Sequence, residues 1–120
     1  MNIYEYQTFK ISNITEANSV TKVFKKDKIN LLHKYESIIW QGPQYIKILN
    51  EKLNKKKINY IVELRDNIGM IISLSNLNIK NMAITEKMKK NILVKILSIT
   101  KNKKIKVFYT EKFRIEEKII

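Results

Sequence analysis

The sequence predicts one α/β domain spanning residues 1–120: three layers, a mainly parallel sheet of about four or five strands, and helices on both faces. Two observations point there. Apolar runs rich in β-formers alternate with segments whose apolar residues recur every three or four positions, and the connections are short. One run, residues 58–64, is apolar on both of its faces, as a central parallel strand must be. A chain of 120 residues, 44% hydrophobic, is long enough to bury one core without covalent staples.

Taken in order, residues 4–11 read as an edge strand whose charges discourage pairing with other chains. Asn13 followed by Glu16 resembles a capping box for a helix running to Phe24, and Lys25, Lys26, Asp27 and Lys28 then turn the chain. Residues 36–41, with Ile38, Ile39 and Trp40, read as the first strand of the main sheet. Gly42 and Pro43 start a helix, proline costing nothing at the first helical position. Its apolar face is Tyr45, Ile46, Leu49 and Leu53, and Lys55, Lys56 and Lys57 close it against the negative end of its dipole.

After the strand at 58–64, Asp66 and Asn67 offer caps for a heavily buried helix over 68–77, which Asn78 ends in the left-handed conformation. Residues 81–84 form a short strand. Thr85 and Glu86 begin a helix that turns Met88, Ile92, Leu93, Ile96 and Ile99 inward. Residues 104–110 alternate Ile105, Val107 and Tyr109 against Lys104, Lys106 and Phe108, a strand with one wetter face. The sheet is thus expected from residues 38–40, 58–64, 82–84 and 105–109. The tail, 111–120, carries Phe113, Ile115, Ile119 and Ile120 and is expected to dock on the domain.

Lysine and isoleucine occur 22 times each and asparagine 13 times, whereas Ala, Gly and Arg occur twice each and Pro once. An A/T-rich genome produces that bias. It also supplies charge, so the formal net charge of +13 is not by itself a nucleic-acid footprint. The discriminating property is position. If Lys47, Lys52, Lys55–Lys57, Lys80 and Lys101–Lys106 converge on one face the charge is a footprint, and if they scatter it is drift. The residues nominated for nucleic acid are Lys55, Lys56, Lys57, Lys101, Lys103, Lys104 and Lys106.

Other chemistries are poorly supplied. The absence of cysteine excludes disulfides and thiolate sites. One histidine, His33, with no acidic cluster beside it in sequence, offers no metal site, and two glycines cannot build a phosphate-binding loop. No cofactor, no metal, no membrane span and no enzyme activity are expected, and the first ten residues lack a signal pattern, so the expected compartment is cytoplasmic. In a parallel sheet a ligand binds outside the carboxyl ends of the strands. Gln41, Arg65, Asp66, Asn67, Thr85 and Thr110 are therefore the candidate ligand-binding residues, with an anion the expected guest and Arg65 its forked donor.

The stretch from Ile61 to Lys80 resembles a small uncharacterised bacterial α/β family built of a strand, an acidic turn, a helix of small and aliphatic residues, a glycine and a second strand. Asn78 stands where that family has its terminal glycine, and Ser73 falls among its small helix positions. Trp40, Gln41, Gly42 and Pro43 answer to its Pro/Gly loop, while Glu63, Leu64 and Arg65 replace its Asp-Cys-Gly turn. The resemblance implies the α/β fold and no particular activity. The leading functional expectation is a non-catalytic binding or regulatory module acting through a protein partner or a second copy of itself. An RNA- or ribosome-associated role is the alternative, ahead of a small-anion-binding domain or an enzyme.

Overall fold

A computed structural model describes residues 2–116. Six parallel strands form one sheet in the order β5-β4-β3-β2-β1-β6. A short 3-10 turn, Ile3–Glu5, leads into β1, Thr8–Ile11. Then come α1 (Ile14–Val23), β2 (Ile29–His33), α2 (Tyr35–Gln41), α3 (Pro43–Lys52), β3 (Ile58–Glu63) and α4 (Ile68–Ser75). β4 (Asn81–Ile84), α5 (Lys90–Asn102), β5 (Lys106–Tyr109), a second 3-10 turn (Thr110–Lys112) and β6 (Ile115–Glu116) follow. The parallel α/β class is as expected, with more strands.

Most helix signals hold. Asn13 Oδ1 caps Glu16 N–H at 2.9 Å, while the Glu16 carboxylate reaches back to Ser12 N–H at 2.8 Å. Pro43 opens α3 after Gly42, whose φ of 83° breaks the chain away from α2. Asn67 caps α4, and Asn78 turns the chain out of it at φ 67°. α5 starts at Lys90 rather than Thr85, because the Glu111 carboxylate holds the Thr85 hydroxyl and Glu86 N–H in a loop.

Two readings are corrected. Residues 36–41 are not a strand but lie in α2. Only Ile38 of its large apolar residues is buried, Ile39 is 44% exposed and Trp40 90% exposed, so the run has one inward side chain per turn. The strand is instead β2, all five of whose residues are buried. The first strand is not an edge: β1 pairs β2 on one side and β6 on the other, and it starts only at Thr8. Of the tail, Phe113 is buried and β6 pairs β1, whereas Ile119 and Ile120 lie outside the described residues.

The layers are also unequal. From β1 to β5 the strand order advances one step at a time in one direction, and right-handed crossovers then place every connecting helix on the same side. The main core joins all five helices to Phe9, Ile11, Ile29, Leu31, Tyr60, Val62, Met82 and Ile84 on that face. On the other face Leu32, Ile61 and Ala83 pack on Phe113, Ile3, Tyr4 and Phe108. Helices are thus present on both faces only in the sense that 3-10 turns help cover the second one, here called the tail face. A flat sheet would set β5 and β6 about 24 Å apart. The six-residue step from Tyr109 to Ile115 reaches about 20 Å, so the sheet curls toward the tail face.

Candidate functional site

At the carboxyl ends of the strands the protein satisfies its own polar groups. His33, at the end of β2, is fully buried. Its Nε2 lies 2.8 Å from Gln41 Oε1 and its Nδ1 2.7 Å from the Tyr60 hydroxyl. An amide oxygen only accepts, so Nε2 carries the proton and Nδ1 accepts from Tyr60. Gln41 Nε2 donates in turn to Ser12 O at 2.5 Å, tying β1, β2, β3 and α2 together. Burial drives the His33 pKa down to about 4, against the smaller opposing effect of Gln41, so the ring is neutral at pH 7. Burial likewise pushes the Tyr60 hydroxyl up.

The remaining nominated residues are similarly engaged. Arg65 pairs with Glu36, and its guanidinium lies 4.5 Å from the Tyr35 ring centroid. Asn67 caps Met70 N–H and donates to the Tyr35 hydroxyl at 3.0 Å. Thr85 donates to Glu111 at 2.6 Å. Asp66 is exposed, and the Thr110 hydroxyl is buried without a hydrogen-bond partner among the described residues. Tyr35 N–H, at the start of α2, is taken by Glu63 at 3.0 Å.

Glu16, Glu63 and Asn67 thus occupy backbone donors at the starts of α1, α2 and α4, and Glu111 holds one in the loop before α5, whereas α3 and α5 start without a side-chain cap. No reversal of strand order between β1 and β5 parts the helices to open a crevice there. The structure brings Gln41 to the His33 latch and Arg65, Asp66 and Asn67 to the β3 end. Thr85 and Thr110 lie farther along the same rim, beyond β4 and β5.

The amino ends of the strands differ. Each helix-to-strand connection returns the chain to that rim, and the connections carry Lys25, Lys26 and Lys28, then Lys55, Lys56 and Lys57, then Lys80, then Lys103 and Lys104. Lys52, Lys101 and Lys106 flank them at helix or strand ends. Among the described residues the acids near them are Glu5, Asp27, Glu51 and Glu116. Lys47, half-buried in mid-α3, stands apart. The carboxyl rim is balanced by contrast: Lys10, Lys34, Arg65, Lys87, Lys89 and Lys90 stand among Glu16, Glu36, Glu63, Asp66, Glu86 and Glu111.

Helix dipoles account for part of this. Lys22, Lys52 and Lys101 sit in last helical turns, and Lys55 Nζ donates to the carbonyls of Asn50 and Leu53 at the end of α3. That effect fades within one turn, so it does not explain Lys28, Lys80 or Lys106 at the strand starts.

Concavities open at this same rim. One of about 410 Å³ has a floor of Phe24, Ile29, Leu53 and Ile58 and walls that include Lys25, Lys52 and Lys57. Another, of about 550 Å³, opens on the tail face between Tyr4, Tyr6, Lys28, Asn59, Asn81 and Lys106. Lys55 and Lys80 border a third, of about 340 Å³. Sequence reasoning nominated several of these lysines but missed Lys28, Asn59 and Asn81. The signal that could have found them is topological: in a parallel sheet, successive helix-to-strand loops share one end.

Among the described residues no group of His, Asp and Glu could hold a metal ion, and no helix is long and apolar enough to cross a membrane. No protein-family model, curated protein or solved structure matches the chain.

Proposed function

We propose that the protein is a nucleic-acid-binding module, RNA its first candidate, that holds the phosphate backbone against the amino-end rim of its sheet. The observation that supports this reading is the gathering of lysines on that rim while the opposite rim stays balanced. An A/T-rich genome supplies lysine but does not choose a rim. The concave surface with tyrosines at its edge suits a chain of nucleotides better than a flat anionic surface. The test is titration of the full chain with a labelled mixed-sequence RNA at about 150 mM salt. Binding tighter than about 10 µM is expected, weakened at least ten-fold in Lys52→Gln/Lys57→Gln/Lys106→Gln. Absence of binding at that salt overturns the reading.

A second reading, docking on a protein or a second copy, has one observation in its favour: Trp40 is 90% exposed beside the half-exposed Ile39 on α2. If that face is an interface, Trp40 emission shifts to the blue with rising protein concentration and Trp40→Ser abolishes any dimer in sedimentation. Unchanged emission and a monomer throughout dispose of self-association.

A further inference from the structure

We infer that the concavity on the tail face is a pocket for an unpaired nucleobase, so that the module selects single strands over duplexes; this rests on the nucleic-acid reading proposed above. Its polar wall includes, besides Asn2, the two asparagines Asn59 and Asn81, whose amides are held in place by neighbours. Asn30 Nδ2 donates to Ile3 O at 2.8 Å and to Thr8 Oγ1 at 3.0 Å, which leaves Asn30 Oδ1 to accept Asn59 Nδ2 at 3.0 Å. Asn81 Nδ2 donates to Tyr60 O at 3.3 Å.

Each of these contacts uses one of the two N–H groups of Asn59 and of Asn81. The second N–H and the Oδ1 of both residues have no hydrogen-bond partner among the described residues. A carbonyl and an N–H side by side on one fixed amide are the donor–acceptor pair that reads a base edge.

The remaining walls fit the rest of a nucleotide. Tyr6 supplies an aromatic ring for stacking, with Tyr4 and Phe108, packed on Phe113 and on each other, forming the apolar wall behind it, and base–aromatic stacking tolerates any sequence. Lys28 and Lys106, both exposed, stand at the mouth, with Lys28 Nζ 5.8 Å from the Tyr6 ring centroid. A volume of about 550 Å³ is within the range of small-molecule pockets.

The tail face suits an anionic guest better than the helical face, where the α1 and α3 carboxyl ends meet the other concavity with their negative dipole ends. A base in a duplex has its edge paired and its faces stacked, so only an unpaired base offers both to the pocket.

The experiment compares a labelled 12-nucleotide single-stranded RNA with its duplex at physiological salt, using the full chain. The single strand is expected to bind at least ten-fold tighter. Asn81→Ala, whose single hydrogen bond is to a carbonyl, and Tyr6→Ala are each expected to weaken single-strand binding about ten-fold and leave duplex binding unchanged, with thermal melts confirming the fold. If neither RNA binds, the proposed function fails first. If both bind equally and the variants change nothing, the function stands and the pocket assignment is overturned. If AMP or UMP alone competes at the concentration of the strand, the guest is a free nucleotide and the strand assignment is overturned.

Discussion

His33 is fixed by groups from β3 and α2, and its surroundings impose a pH dependence on stability. Its pKa is about 4 in the folded chain and about 6.5 when unfolded. Above pH 6.5 both forms are neutral and nothing is lost. As pH falls from 6.5 toward 4 the unfolded chain takes up a proton that the folded chain refuses, so stability declines, by about 3 kcal/mol in all. Urea midpoints of the wild type and His33→Gln across that window check this: the difference between the two proteins is expected to shrink as pH falls, and a constant difference contradicts it. Arg65 makes the opposite case. Its pair with Glu36 is on the surface, at 45% and 63% exposure, so Arg65→Ala is expected to cost no more than about 1 kcal/mol in a thermal melt. Unfolding of that variant would make Arg65 a structural residue and remove it as a free anion donor.

The C-terminal segment is the element whose contribution is easiest to underestimate. Phe113 is 6% exposed and packs on Leu32, Ile61 and Ala83, so it closes a face that no α-helix among the described residues covers. Phe113→Ala is expected to cost about 3–4 kcal/mol by denaturant unfolding, and a loss below about 0.5 kcal/mol would mean the segment merely rests on the sheet. Elements with local punctuation were legible in the sequence. Asn13, Pro43, Asn67 and Asn78 mark helix ends by chemistry that needs no tertiary context. Residues 36–41 misled because Ile38, Ile39 and Trp40 are all β-formers and a short apolar run does not declare its period. β2 was left unassigned because Asn30 and His33 interrupt its apolar run with polar groups that only Thr8, Tyr60 and Gln41, from other elements, satisfy. The carboxyl-rim residues could be named from the strand ends. The engagement of Arg65 by Glu36, of Asn67 by Tyr35 and of Thr85 by Glu111 depends on pairings between strands that the linear order does not state.

At the scale of the whole molecule, one sheet with all its strands parallel has two chemically distinct ends. Helix starts and their acidic caps gather at the carboxyl end, and helix ends, lysine-bearing loops and strand starts gather at the amino end. Among the described residues lysines therefore outnumber acids at the amino end and not at the carboxyl end; helix dipoles account for part of that asymmetry, and a binding role would account for the rest, which compositional drift does not predict. The most direct measurement compares two charge-matched variants for single-stranded RNA binding over a salt series: Lys28, Lys52, Lys57 and Lys106 changed to Gln, against Lys34, Lys87, Lys89 and Lys90 changed to Gln. Each phosphate contact contributes about 0.7 to the slope of log affinity against log salt. The amino-rim variant is expected to lose binding and about two to three units of slope, with the carboxyl-rim variant close to wild type. Equal losses in the two variants would show that only total charge matters, and would contradict a binding surface at the amino ends of the strands.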